Sequence, residues 1–114
     1  MKPTRYYSRR QEDKIARAVN GKRQANSGAS IWQKGDVENE HFLIEAKTTI
    51  KPKKSFSIKQ EWLEKIEEES IGMRKDGYAL CFEFDPADNK RYYVISERMF
   101  QLLNHFIEKF MEKE

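Results

Sequence analysis

One segment restricts the fold more than any other. Residues 41–50, HFLIEAKTTI, are rich in β-branched and aromatic side chains and read as a strand. Tyr78–Phe84 reads as a second, buried strand, and the turn residues Asp85, Pro86, Asp88 and Asn89 lead to a third at Tyr92–Ile95. Helices fill the intervals. Ser8 stands as an N-cap with Gln11 three residues on, the pattern of a capping box, and predicts a helix to about Val19 that stops at Asn20-Gly21. Ser57 and Gln60 repeat that pattern before Trp62, Leu63 and Ile66, whose spacing predicts an amphipathic helix ending near Gly72. A last helix starts near Ser96 and carries Met99, Phe100, Leu103, Phe106, Ile107 and Phe110. With QANSGAS (24–30) as strand or loop, the order is α-β-β-β-α-β-β-α. That order predicts an α/β sandwich on a mixed sheet. We expect one domain over residues 8–114, preceded by an irregular basic arm, residues 1–7.

A chain of 114 residues supports one modest core, burying roughly two-thirds of its unfolded surface. Charged residues at 36% predict a thin core under a polar surface, while 12% aromatics argue against disorder. The single cysteine, Cys81, lies in the apolar run YALCF and is expected to be buried. One cysteine and two histidines exclude a disulfide framework within the chain and a structural zinc cluster. No stretch is apolar enough to span a membrane, so we expect no membrane partner and a cytoplasmic setting.

The charge is unevenly distributed. Residues 1–34 hold nine Lys and Arg against Glu12 and Asp13, and five lysines with no acid lie between Lys47 and Lys59. The helix near residues 61–69 is rich in glutamate instead. A basic surface set against an acidic one implies a polyanionic partner.

The chemistry concentrates in the hairpin before and within HFLIEAKTTI. With Asn39 and Glu40 as a two-residue turn, Val37 pairs with Phe42 and Asp36 with Leu43. Asp36, Leu43, Glu45 and Lys47 then share one face, because side chains alternate. Asp36 and Glu45 become diagonal neighbours about 7 Å apart at the backbone, close enough to lean onto one ion. A one-residue slip would separate them. The carbonyl of Ala46 offers a further oxygen ligand. Hydrolysis of a phosphodiester needs this set: carboxylates to hold a metal ion, and a cation near the nucleophile or phosphate.

Gly35-Asp36, eight intervening residues, then Glu45-Ala46-Lys47 resembles the signature of the PD-(D/E)XK nucleases, with Gly35 where that family often has proline. The resemblance implies a restriction-endonuclease-like three-layer sandwich, a central mixed β-sheet flanked by helices. It implies Mg²⁺ as cofactor, with Mn²⁺ able to substitute, and Asp36, Glu45, Lys47 and the Ala46 carbonyl at the reaction centre. A first-helix glutamate commonly supplies a ligand in that family. Glu12 shares a helix face with Ile15, Ala16 and Val19, where a carboxylate is costly unless it binds metal or pairs with Arg9 or Lys14.

The order of elements further resembles archaeal-type Holliday junction resolvases from about residue 8 to residue 100. Those enzymes place a serine-containing small-residue stretch before the acidic hairpin, which puts Ser27 or Ser30 near a phosphate. They also place a glutamine at the start of the helix after the E-x-K strand, where Gln60 stands here either as a catalytic group or as half of its capping box. The lysine-rich loop Lys51, Lys53, Lys54 departs from that pattern. The resemblance implies a metal-dependent endonuclease acting on four-way junctions, with a nickase, a repair or restriction-type nuclease, or a non-catalytic DNA-binding module as alternatives. The compact chain suits a phage-encoded enzyme.

Branched or duplex DNA would meet Arg5, Tyr6, Arg9 and Arg10 of the arm, Lys22 and Arg23, and Lys51, Lys53 and Lys54. Guanidinium and ammonium groups neutralise phosphates, and tyrosines stack on exposed bases. Leu102, Phe106, Phe110 and Met111 widen the apolar face of the last helix beyond one packing stripe, which predicts a homodimer through apolar helix faces.

Overall fold

A computed structural model describes residues 4–24 and 35–113. Ser27 and Ser30, with the rest of residues 25–34, lie outside the described residues. The elements run α1 (Thr4–Ala18), β1 (Lys22–Arg23), β2 (Val37–Glu38), β3 (Phe42–Lys47), α2 (Gln60–Gly72), β4 (Gly77–Phe82), β5 (Tyr92–Val94) and α3 (Glu97–Glu112). This is an α/β chain whose mixed sheet has five described strands in the order β1-β2-β3-β4-β5. Only β3 and β4 run parallel, because α2 carries the chain from the end of one to the start of the other.

The pleat of the two central strands sorts the core. Ile44, Ala79 and Cys81 meet Ile15 of α1 and Val37 on one face, with Ala46, Phe42 and Ile95 packed beside them. Cys81 is fully buried, and burial pushes its thiol up to about 11. On the other face Phe82 stacks on Phe56, which leans on Trp62 of α2, and the Tyr78 hydroxyl reaches Glu67 of the same helix. The sheet is thus covered by α1 on one side and α2 on the other.

Three expectations are corrected. The arm is not irregular over its described residues, since Thr4–Tyr7 belong to α1. Its arginines are good helix formers, and Arg10 clasps Tyr6 one turn away, donating to its hydroxyl at 3.1 Å. Ser8 and Gln11 are therefore interior to the helix rather than a capping box. Ser57 does not cap α2 either: Lys59 is the N-cap and Gln60 the first helical residue. The α1 stop is as expected, with Asn20 left-handed (φ 54°) and the Gly21 N–H returning to Ala16 O at 2.8 Å. Ser96 caps α3, accepting from the Met99 N–H at 3.1 Å.

The third correction is the hairpin register. Val37 pairs with Ile44 and Glu38 with Leu43, two residues further along β3 than a two-residue turn at Asn39-Glu40 gives. The Asn39 side-chain oxygen accepts from the His41 and Phe42 N–H groups, and the Asn39 N–H bonds Phe42 O, which centres the turn on Glu40 and His41, one residue later than expected. A shift of two residues keeps every side chain on its intended face.

Gly35 opens this hairpin at φ 72°, and a Cβ there would lie 2.7 Å from two carbons of the buried Leu43 side chain. Proline fixes φ near −65°, so this backbone cannot take proline at position 35. Gly35→Ala combines left-handed strain with that clash and is expected to cost about 1–3 kcal/mol, read as a lowered denaturation midpoint. An unchanged midpoint would show that the hairpin start is not held in this conformation.

Candidate functional site

The ladder between β2 and β3 ends at Val37 and Ile44, and Asp36 takes over from there. Its N–H donates to Ile44 O at 3.0 Å, and its carboxylate Oδ2 accepts the Ala46 N–H at 2.7 Å. A side chain thus replaces the missing strand partner of Ala46. Extended backbone points a residue's N–H and C=O to the same side, so the Ala46 carbonyl opens toward Asp36 as well.

Glu45 and Lys47 project from β3 on the α2 face. The Lys47 ammonium stands 3.9 Å from Glu45 Oε1 and 4.0 Å from the centre of the Trp62 ring. The aromatic face attracts the cation and fixes its position. Both side chains are mostly shielded, at 25% and 19% exposure. Gln11 braces the end of the strand: its amide donates to Lys47 O at 2.9 Å, and its oxygen accepts from the Thr48 hydroxyl at 3.0 Å.

The electrostatics tie three acids together. Burial, then the charge of Asp36, pushes Glu45 up to about 7, against the pull of Lys47 and Lys65. Asp36 is raised chiefly by burial, and the Ala46 N–H, Lys47 and Lys65 oppose this. Glu12 rises to about 7, first by burial and then by Asp36, with a smaller push from Glu45 and a counter-pull from Arg23. Glu12 therefore shares the field of the pair, as its place on the apolar stripe of α1 suggested.

Among the described residues no three His, Cys, Asp or Glu side chains gather tightly enough to enclose an ion unaided. Mg²⁺ requires less than that, since it commonly takes one or two carboxylates and keeps several waters. Asp36 and Glu45, half-buried and mutually repelling, have the oxygen donors and the excess negative charge that such an ion neutralises. The Ala46 carbonyl and Glu12 stand as the further donors.

The remaining expected residues are dispersed. Gln60 is exposed at the start of α2, two residues before Trp62, and among the described residues no hydrogen bond joins it to Asp36, Glu45 or Lys47. Arg5, Arg9, Arg10, Lys51, Lys53 and Lys54 are exposed, and Tyr6 is half-buried under Arg10. Lys22 and Arg23 are exposed beside acids, 3.9 Å from Glu38 and 3.8 Å from Asp13. Trp62, Lys65, Glu69 and Gln11 belong to the site and were not singled out from the sequence. The helical spacing of residues 62, 65 and 69 could have revealed the first three.

The shifts have a direct consequence. The folded chain holds protons on Glu12 and Glu45 at pH values where the unfolded chain has lost them. Stability contributed by those protons is therefore present below the ordinary glutamate range and lost as the pH rises to about 7. One fully buried carboxyl with such a rise is worth about 3 kcal/mol, and partial exposure makes the effect smaller here. Thermal unfolding without metal is expected several degrees higher at pH 5 than at pH 8. Mn²⁺ should narrow that gap at pH 8 and do nothing at pH 5, and Glu45→Gln should shrink both effects. A pH-independent midpoint would mean that these carboxyls titrate normally.

Among the described residues no helix is long and apolar enough to cross a membrane. No family model, no curated protein and no solved structure matches this chain.

Proposed function

We propose that this chain is a divalent-metal-dependent endodeoxyribonuclease of the PD-(D/E)XK type, with a restriction-endonuclease-like arrangement of its layers and four-way DNA junctions as its substrate. The single observation behind the reading is that Asp36 bonds the N–H of Ala46, the residue after Glu45, and adds its charge to Glu45, with the Lys47 amine 3.9 Å from Glu45.

Each residue has a role in that chemistry. Mg²⁺, or Mn²⁺ in its place, would polarise the scissile phosphate and bring an attacking water into a reactive state. Asp36 and Glu45 would hold the ion, and the Asp36 bond to the Ala46 N–H fixes one oxygen while leaving the other for coordination. Lys47 places a positive charge where the phosphate's negative charge grows. Trp62 keeps that ammonium in place. Glu12 completes the acidic side of the site.

Arg5, Arg9, Lys51, Lys53 and Lys54 would meet phosphates and set affinity rather than sequence choice. A second copy of the chain would join through α3 and set two active sites on opposite strands. The test is incubation of labelled four-way junction, flap and linear duplex with Mg²⁺ or with EDTA. Cleavage of the junction in Mg²⁺ alone is the expected result. Preferential cutting of flap or duplex would reassign the substrate within the same chemistry. Binding without cutting in any metal would leave a DNA-binding module.

A further inference from the structure

A cleft of about 580 Å³ opens between α1 and the segment after β4, on the flank of α1 away from Glu12. Tyr7, Arg10, Gln11 and Lys14 form its helical wall, and Glu83 and Asp85 face them; one Asp85 oxygen accepts the Ala87 N–H at 2.9 Å. Its chemistry is divided. Arg10 is exposed, and Lys14 spends one of its three donors on Pro86 O at 3.3 Å. Glu83 is 2% exposed, and its Oε2 is buried without a hydrogen-bond partner. An acceptor left in that condition costs free energy until a donor reaches it. Gln11 is committed to Lys47 and Thr48, so the cleft is tied to the strand that carries Glu45 and Lys47.

Simple ligands satisfy only half of this wall. An inorganic anion would suit Arg10 and Lys14 and leave Glu83 bare. An amine would suit Glu83 and Asp85 and leave Arg10 and Lys14 without a partner anion. The matching ligand has negative charge at one end, N–H donors at the other and a flat body between them. A nucleotide has that form, and the cleft is of a size that holds small ligands. Among the bases, guanine presents adjacent N1–H and N2–H₂ donors to a carboxylate, whereas thymine presents one N–H between two carbonyls. Tyr7 supplies an aromatic surface for stacking.

We infer that this cleft takes one unstacked guanine nucleotide of the DNA strand bound at the Asp36–Glu45 site. The inference rests on the proposed nuclease function for the source of that nucleotide, but the recognition itself does not need catalysis. The cleft reads a base extruded from its stack, as branched substrates offer at their branch points.

The test is a titration of ¹⁵N-labelled protein with dGMP and with dTMP in EDTA, followed by amide shifts. Shifts at Arg10, Lys14 and Glu83, with dGMP at least tenfold tighter than dTMP, are expected. Glu83→Gln should bring the two affinities within about twofold, and Lys14→Ala should weaken both nucleotides several-fold. Should Glu83→Gln fail to fold, the wild-type dGMP-to-dTMP ratio and the exposed variant Arg10→Ala carry the test. Equal affinities, or shifts that map elsewhere, overturn the inference. Junction cleavage is scored separately. Selective dGMP binding in a protein that cuts nothing would remove the nuclease reading and leave the cleft, and cutting without selectivity would do the reverse.

Discussion

Glu45→Gln is expected to lower Mg²⁺-dependent junction cleavage at least a thousandfold while DNA binding stays as tight or tightens. The amide keeps the size and shape of the side chain but carries no charge, so it is a poor ligand for a hard dication. Loss of ion positioning removes transition-state stabilisation of about 4 kcal/mol or more, which corresponds to that factor. Binding should be spared because the carboxylate repels phosphate when no ion lies between them. The fold should also persist, since the charge on Glu45 raises the free energy of the metal-free state. Asp36→Asn is the companion variant. Its side-chain oxygen can still accept the Ala46 N–H, so the end of the hairpin stays closed while the second charge is lost. Cleavage by either variant at the parent's rate would remove that residue from the mechanism. Lys47→Met tests the third group. It should lose activity without losing Mn²⁺-dependent stabilisation, which separates the amine's role from metal retention.

The sequence made the site legible to the level of side-chain faces but not of register. Alternation along FLIEAK placed Glu45 and Lys47 together, and a strand pattern cannot be misread by two residues in a way that moves them apart. Asn39 is a paired residue and not a turn centre. It is the residue whose side chain folds back on His41 and Phe42. The observed pairing carries Asp36 two residues further along β3, toward Glu45 and Ala46, so its carboxylate accepts the Ala46 N–H. Capping boxes failed for a different reason. Ser-x-x-Gln is a local signature, and at Ser8 tertiary partners won: Thr48 approaches Ser8 at 3.1 Å and Gln11 at 3.0 Å, so both side chains serve the adjacent strand. Trp62 belongs to the amphipathic pattern with Leu63 and Ile66, while Lys65 and Glu69 carry no signal of their own. Which strand that face would cover depends on the parallel crossover between β3 and β4, and no local pattern states it.

With the chain paired through α3 as proposed, Phe106→Glu is expected to weaken association roughly a thousandfold and leave a monomer. Helix α3 is anchored to the body by Met99, whose methyl group lies over Gly77 beside Phe42. Beyond that anchor its apolar residues face solvent: Phe100, Phe106, Ile107, Phe110 and Met111 are each at least 60% exposed, with Leu102 and Leu103 beside them. These side chains form one face of the helix, and the charged residues form the other. Seven large apolar groups on one helix approach the roughly 800 Å² per partner of a standard interface. A second copy of the chain presents the same apolar face, so a twofold axis makes it self-complementary. In a twofold interface the substitution acts twice, and two buried aromatic anchors lost at about 2 kcal/mol each give the thousandfold figure. Light scattering should find the parent at twice 13.6 kDa and the variant at 13.6 kDa, with an unfolding midpoint that rises with protein concentration in the parent alone. On a four-way junction the variant should nick single strands and lose paired incisions, because each subunit keeps its own Asp36 and Glu45. A parent that stays at 13.6 kDa at tens of micromolar would leave this helix face for some other partner and remove the second active site from the proposed reaction.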